Sequence, residues 1–258
     1  MKILKKLLRR FKKPKISVPI TDSKSFLHWW DLYKSEQKLD PVLILMVDDL
    51  ISTPNFHKYS NYWNYLAISH IKLINEKGIE NFKQTIERHH YWGEGSMEFK
   101  LLDPIINNNI SISYDKKELN KKHDLCSEVE SKEFNKSNLI LINYLIENNL
   151  GKYLEKIQEF PFGNPITFNF QNKKYSFPLL NSILEIDILN NSIDLIKYKS
   201  LLEIGAGSGR LCSAFMQINQ NLKYTIVDIP PALYIAQSNI KNNFKTKKIF
   251  TYRNFKNF

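Results

Sequence analysis

The residues of this chain best suited to chemistry are the glycines at 205, 207 and 209, set in Leu201-Leu202-Glu203-Ile204-Gly205-Ala206-Gly207-Ser208-Gly209-Arg210, and the acid Asp228 beyond them. Glycine permits a tight turn and lets backbone approach a ligand closely. A dinucleotide-binding loop, G-x-G-x-x-G, would place its third glycine where Arg210 stands, and a phosphate loop would need Gly-Lys-Ser/Thr, which is missing here. Asp228 follows Gly209 by 19 residues, close to the offset of about 20 expected of a ribose-binding carboxylate. A carboxylate at that place can accept both ribose hydroxyls of an adenosyl group.

Elements of definite type must hold these groups. Residues 200–204 read as a buried strand, and Leu211, Ala214, Phe215 and Ile218 as the apolar face of a helix after the loop. Residues 223–229 (KYTIVDI) read as a second buried strand ending in the acid. Pro230-Pro231 then opens a helix through Ala232, Leu233, Ile235, Ala236 and Ile240, and 248–253 predicts a third strand. Parallel strands joined by helices are expected to be covered on both faces.

Glu203-x-Gly205-x-Gly207-x-Gly209 with Asp228 resembles the cofactor half of a class I S-adenosylmethionine-dependent methyltransferase. The phrases LLEIGAGSGRL, YTIVDIPPALYIAQ and IFTYRNF resemble a bacterial family of sugar O-methyltransferases. Gly163-Asn164-Pro165, Lys174-Tyr175-Ser176, the 180–185 stretch, Tyr62-Trp63 and Asn81-Phe82 resemble that family's lead-in. The likeness extends over most of 55–258, close in 200–237 and loose before 160. It implies S-adenosyl-L-methionine as cofactor, a sugar or glycan acceptor of surface-polysaccharide assembly, and a Rossmann-like catalytic domain. It also implies that Glu203, Gly205, Ala206, Gly207 and Gly209 line the methionine and ribose side, that Asp228 holds the ribose, and that Ile229 contacts adenine.

The fold class expected is therefore α/β: a mostly helical N-terminal region followed by the first half of a class I methyltransferase domain, with about three parallel strands. The sheet resembled has seven. The expectation is a member cut short, by an artificial boundary or a premature stop, with weak or no activity alone; a naturally minimal three-stranded domain is the other reading. A non-catalytic adaptor at a membrane surface is the alternative function, and Arg210 disfavours a nicotinamide-dependent oxidoreductase.

For the acceptor, all four tryptophans and all six histidines lie in the first 123 residues. The densest cluster is His89-His90-Tyr91-Trp92-Gly93-Glu94-Gly95-Ser96, which makes His90 and His89 candidate general bases, with core packing and polar surface as the competing reading. No carboxylate cluster with metal-ligand spacing stands out, so no metal site is assigned; Asp48-Asp49 reads as a helix end and Asp103-Pro104 as a turn.

Four segments follow: a basic leader at 1–21, a helical acceptor-side region at 22–160, a hairpin and linker helix at 161–199, and the incomplete cofactor domain at 200–258. Helices are expected at 25–39, 59–76, closed by Gly78 as a left-handed cap, 79–90, 132–150 and 178–196, with a hairpin over 166–177 turning at Gln171-Asn172. The net charge is +11, but eight of the 37 basic residues fall in the first fifteen positions, and the remainder is nearly neutral. That distribution argues against specific nucleic-acid binding. In the leader Ile3, Leu4, Leu7, Leu8 and Phe11 recur at helical spacing opposite the cations. This is the pattern of an interfacial helix on anionic lipid, with an ordinary helix or a frayed arm as the other reading. Two cysteines without framework spacing, and no apolar run longer than 42–47, point to a cytoplasmic protein, peripheral at most at the inner face of the membrane.

Overall fold

A computed structural model describes residues 22–54, 60–87, 107–193 and 197–252. The described chain is mixed α and β, mostly helical, with two small sheets.

Three helices come first: α1 (Ser23–Glu36), α2 (Pro41–Ile51) and α3 (Asn61–Lys77). Each starts where a side chain satisfies a backbone N–H left over by helix geometry. Asp22 accepts from Ser25 at 2.7 Å, Asp40 from Val42 at 2.7 Å and Ser60 from Trp63 at 3.4 Å. Their apolar faces meet around Phe26, Trp30, Leu43, Met46 and Ile71, all buried. Trp30 satisfies its indole N–H by donating to Asp48 at 2.8 Å. The acids at 48 and 49 thus lie in the last turns of α2.

Gly78 has φ 80° but ψ 147°, so the chain leaves α3 through a positive-φ glycine that lies outside the left-handed helical region of the expected cap. A continuous helix over 79–90 does not form in the described part. A 3-10 turn (Ile79–Asn81) runs into a π-helical turn (Lys83–Glu87). The reason is a competing acceptor: the backbone N–H of Lys83 donates to Gly163 at 2.9 Å instead of closing the helical ladder.

Next come α4 (Lys116–Leu119), α5 (Glu128–Glu147) and α6 (Gly151–Leu154). Helix α5 begins earlier than the apolar pattern predicts, because Ser127 and Glu130 form a reciprocal capping box at 3.2 and 2.7 Å. Strands β1 (Phe168–Phe170) and β2 (Lys173–Tyr175) pair antiparallel with Phe168 opposite Tyr175. Gln171 and Asn172 turn the hairpin at φ 48° and 61°, the positive values that a two-residue loop requires. Ser176 then caps α7 (Phe177–Ser192).

Strand β3 (Ser200–Ile204), helix α8 (Arg210–Ile218), strand β4 (Lys223–Val227) and helix α9 (Ala232–Asn243) follow. The strands are parallel, Leu201 opposite Tyr224 and Ile204 opposite Val227. The third strand does not form: residues 248–252 carry no sheet pairing. They are drawn aside by Tyr252, whose N–H donates to Gln237 at 2.7 Å and whose hydroxyl donates to Asp49 at 2.5 Å. Coverage of both faces is also corrected. Leu201, Tyr224 and Ile226 pack toward the helices, whereas Leu202, Ile204 and Val227 are 59%, 79% and 50% exposed on the other face.

Two main hydrophobic clusters hold the chain, and both bridge distant sequence. One joins Leu139, Ile142 and Leu145 of α5 to the hairpin, to α7 and to Ala214 and Phe215 of α8. The other joins α1, α2 and α3 to Tyr234 and Ile235 of α9. The helical N-terminal part is therefore docked directly on the glycine-loop unit.

Candidate functional site

The glycine loop leaves β3 still in register with β4, since the N–H of Gly205 donates to the Val227 carbonyl at 2.8 Å. Asp228, at the end of β4, then fastens the loop. One carboxylate oxygen accepts from the N–H of Gly207 and the other from that of Ile229, both at 2.7 Å. Ala206 is buried and its carbonyl accepts from Gly209 at 3.0 Å, and Gly209 takes a left-handed conformation as the N-cap of α8. Gly205 and Gly207 both have positive φ, 78° and 59°, and a Cβ built on either would meet nothing within 4 Å. Their backbone faces open space that only glycine leaves clear at such angles.

That space is a cavity of about 320 Å³ between the loop and the helical region. From the loop side it is lined by Gly205, Gly207, Ser208, Asp228 and Ile229, with Pro230 and Ile235 beside them. From the other side come Trp63 and His70 of α3, Phe82, and Glu87 at the end of the π-turn. Ser208 connects the two walls, its hydroxyl donating to the Glu87 carboxylate at 2.5 Å, while its carbonyl accepts from Asn239 of α9 at 2.8 Å.

Burial raises the pKa of each carboxyl here. For Asp228 the rise from burial is opposed by the Gly207 and Ile229 N–H groups. For Glu87 it is opposed by Lys83 and the Ser208 hydroxyl and reinforced by Glu159. Glu203 is likewise raised by burial and pulled back by a hydrogen bond from the Tyr224 hydroxyl at 2.8 Å. Glu203 points into the covered face of the sheet and is not among the residues lining the cavity. Arg210 turns away to α7, donating to Ser182 at 2.8 Å and pairing with Glu185 at 2.5 Å, and so braces the loop.

Of the residues singled out from sequence, Gly205, Gly207, Asp228 and Ile229 meet at this cavity, while Ala206 and Gly209 shape the loop beneath it. His89 and His90 lie outside the described residues, as do Asp103-Pro104 and the leader. Glu87 and His70 carry no local signal, because only the folded chain brings them to the loop, and Ser208, within the loop, shows its partner only once Glu87 is beside it. Trp63 carried a signal as part of an aromatic pair in the family-like lead-in. A larger groove of about 910 Å³ follows the outer flank of β4, between Cys212, Ile226 and Ile240 on one side and Ile249 and Tyr252 on the other. Its mainly apolar lining marks it as the uncovered edge of the sheet, apart from the polar cluster.

An adenosyl group fits the donor set. Each Asp228 oxygen accepts one backbone N–H, from Gly207 or Ile229, which leaves lone pairs for two ribose hydroxyls. Among the described residues no group of three His, Cys, Asp or Glu could hold a metal, and no helix is long and apolar enough to cross a membrane. Cys126 and Cys212 are buried and form no disulfide with each other. Compared with protein-family models, curated proteins and solved structures, the chain matches none.

Proposed function

We propose that the chain is an S-adenosylmethionine-dependent O-methyltransferase with a Rossmann-like donor half, acting on a sugar of a surface glycan. The observation that carries the reading is the cavity in which Gly205, Gly207 and Asp228 face Trp63, His70 and Glu87. One wall suits an adenosyl donor, and the other has the aromatic and polar groups of a sugar site. When bound, S-adenosylmethionine supplies an electrophilic methyl group on sulfur. The protein's share is alignment: Asp228 would hold a ribose, the Gly205–Gly207 backbone would approach the donor, and Ile229 with Ile235 would offer an apolar wall to adenine. Holding acceptor and donor in line converts an encounter of two molecules into a local displacement.

Weak or no turnover is expected of the protein as it stands, since one face of β3 and β4 is uncovered. The leader would hold the protein at anionic membrane surface where glycan acceptors are assembled. Calorimetry with S-adenosylmethionine and, separately, with a nicotinamide dinucleotide tests the reading. Donor binding that Asp228→Ala weakens at least about tenfold supports it, by the loss of roughly 1.4 kcal/mol. Binding of the dinucleotide instead, or binding to anionic vesicles without any donor affinity, would replace it with an oxidoreductase or an adaptor.

A further inference from the structure

Glu87 occupies an unusual place. It is 4% exposed, it ends a π-helical turn, and it stands on the boundary of two cavities. On one side is the 320 Å³ cavity, where Ser208 of the glycine loop donates to it at 2.5 Å. On the other is a chamber of about 20 Å³ shared with Lys83, Asn138 and Ser176. Both amide atoms of Asn138 are buried there without a hydrogen-bond partner. The rest of its lining is apolar, with Phe134, Ile166 and Phe177 among it, but the size accommodates one water, for which a minimum of about 10–15 Å³ suffices, and Lys83, Glu87, Asn138 and Ser176 offer it polar partners.

The composition of the main cavity matters as much as its shape. Its described lining includes Glu87, Asp228 and His70 and contains no lysine or arginine. Among the described lining residues a phosphate or other anion would face two carboxylates and no cation, Lys83 and Arg210 lying behind the wall, and burying an unpaired charge is costly. An alcohol carries no such penalty and can donate its hydrogen bond to a carboxylate.

Resting on the methyltransferase reading above, we infer that Glu87 is the general base of this site and that its acceptor is the hydroxyl of a neutral sugar ring bearing no phosphate near the reacting oxygen. In the step, the hydroxyl proton passes to a Glu87 oxygen as the acceptor oxygen forms its bond to the methyl carbon. The carbon–sulfur bond breaks with its electron pair left on sulfur, which turns a sulfonium into a neutral thioether. The chamber behind Glu87 gives the proton a route by one water toward Ser176 and the buried Lys83–Glu159 pair. The charged groups acting on Glu87 are Lys83 and Arg210, which favour its ionised form, and Glu159, which opposes it; Asp228 and His70 share the cavity.

Three measurements on the full chain separate this assignment from the reading beneath it. Calorimetry with S-adenosylhomocysteine tests the donor site alone, and its failure would count against the methyltransferase reading only. Carboxyl carbon resonances of glutamate-labelled protein test Glu87 whether or not the chain turns over, with the Glu87 signal identified by its disappearance in Glu87→Gln. A neutral methyl glycoside is expected to move the Glu87 titration while the matching sugar phosphate does not. An unmoved resonance, or equal shifts with both sugars, would overturn the assignment. Where donor binding and turnover are present, Glu87→Gln should cut methyl transfer about 10²–10⁴-fold with S-adenosylhomocysteine affinity within about threefold, and Glu87→Asp should restore part of the rate. Unchanged turnover in Glu87→Gln, or its loss in His70→Gln alone, would also overturn it.

Discussion

The Ser208 hydroxyl donates to the Glu87 carboxylate at 2.5 Å, joining the glycine loop to the π-turn across 121 residues of sequence. Removing the hydroxyl in Ser208→Ala leaves a buried carboxyl short of a donor, at an expected cost of about 1–3 kcal/mol. Urea unfolding measures it, and Ser208→Thr should recover most of the loss. A midpoint unchanged in the alanine variant would contradict the bond.

Gly207 at φ 59° has room for a methyl group but not the backbone preference for one. Gly207→Ala is expected to lose about 1–2 kcal/mol from the left-handed conformation and to weaken donor binding more than about tenfold, because the new Cβ projects into open space beside the loop. Gly151 is the control: it lies in α6 without positive φ, and its nearest neighbour to a built Cβ is at 3.9 Å. Gly151→Ala should leave donor binding alone and stabilise the fold by about 0.4–1 kcal/mol.

Burial raises the carboxyls of Glu87, Glu203 and Asp228 above their ordinary values of 4.5, 4.5 and 3.8. A group that binds its proton more tightly when folded stabilises the fold fully below its unfolded pKa, and that contribution is lost as pH rises through the folded pKa. Unfolding free energy attributable to these three groups should therefore decline as pH rises from the unfolded values through the raised ones. Asp22 and Glu128, both lowered, act in the opposite sense but are exposed. Glu87→Gln removes one titrating group and should flatten the decline; urea midpoints across the pH range will show whether the parent and variant slopes are instead the same.

The two faces of the β3–β4 sheet should answer differently to substitution. Leu202→Thr and Val227→Thr alter exposed positions and should change stability by no more than about 0.5 kcal/mol while reducing self-association. Phe215→Ala, in the core beneath the covered face, should cost about 3–5 kcal/mol. Thermal melts with light scattering report both effects. Equal losses on the two faces would mean that the open face is covered in solution.

Deleting residues 1–15 removes eight cations and the apolar positions spaced among them. Sedimentation with anionic vesicles should show binding by the full chain, sharply lowered in the deletion and by added salt. Equal sedimentation of both proteins would end the membrane proposal.

Local signals in the sequence carried the elements whose bonds are local. Apolar spacing predicts the bodies of α1, α3, α5 and α7, whereas the caps at Asp22 and Ser127 set the starts of α1 and α5, and α2, capped by Asp40, is foreseen only as a helix end at Asp48-Asp49. Gln171-Asn172 marks a hairpin because its two positive φ values are set within the turn. The strand, glycine loop and helix from 200 to 218 were legible for the same reason. Tertiary structure alone decided the rest. It diverted the Lys83 N–H to Gly163 and made a π-turn where periodicity predicts a helix. It drew 248–252 away from the sheet through Tyr252 and Asp49. It also brought Glu87 to Ser208, giving the glycine loop a second wall. Each of these rests on a partner scores of residues away, and the periodicity of a short window contains no term for a partner that the chain must first fold to meet.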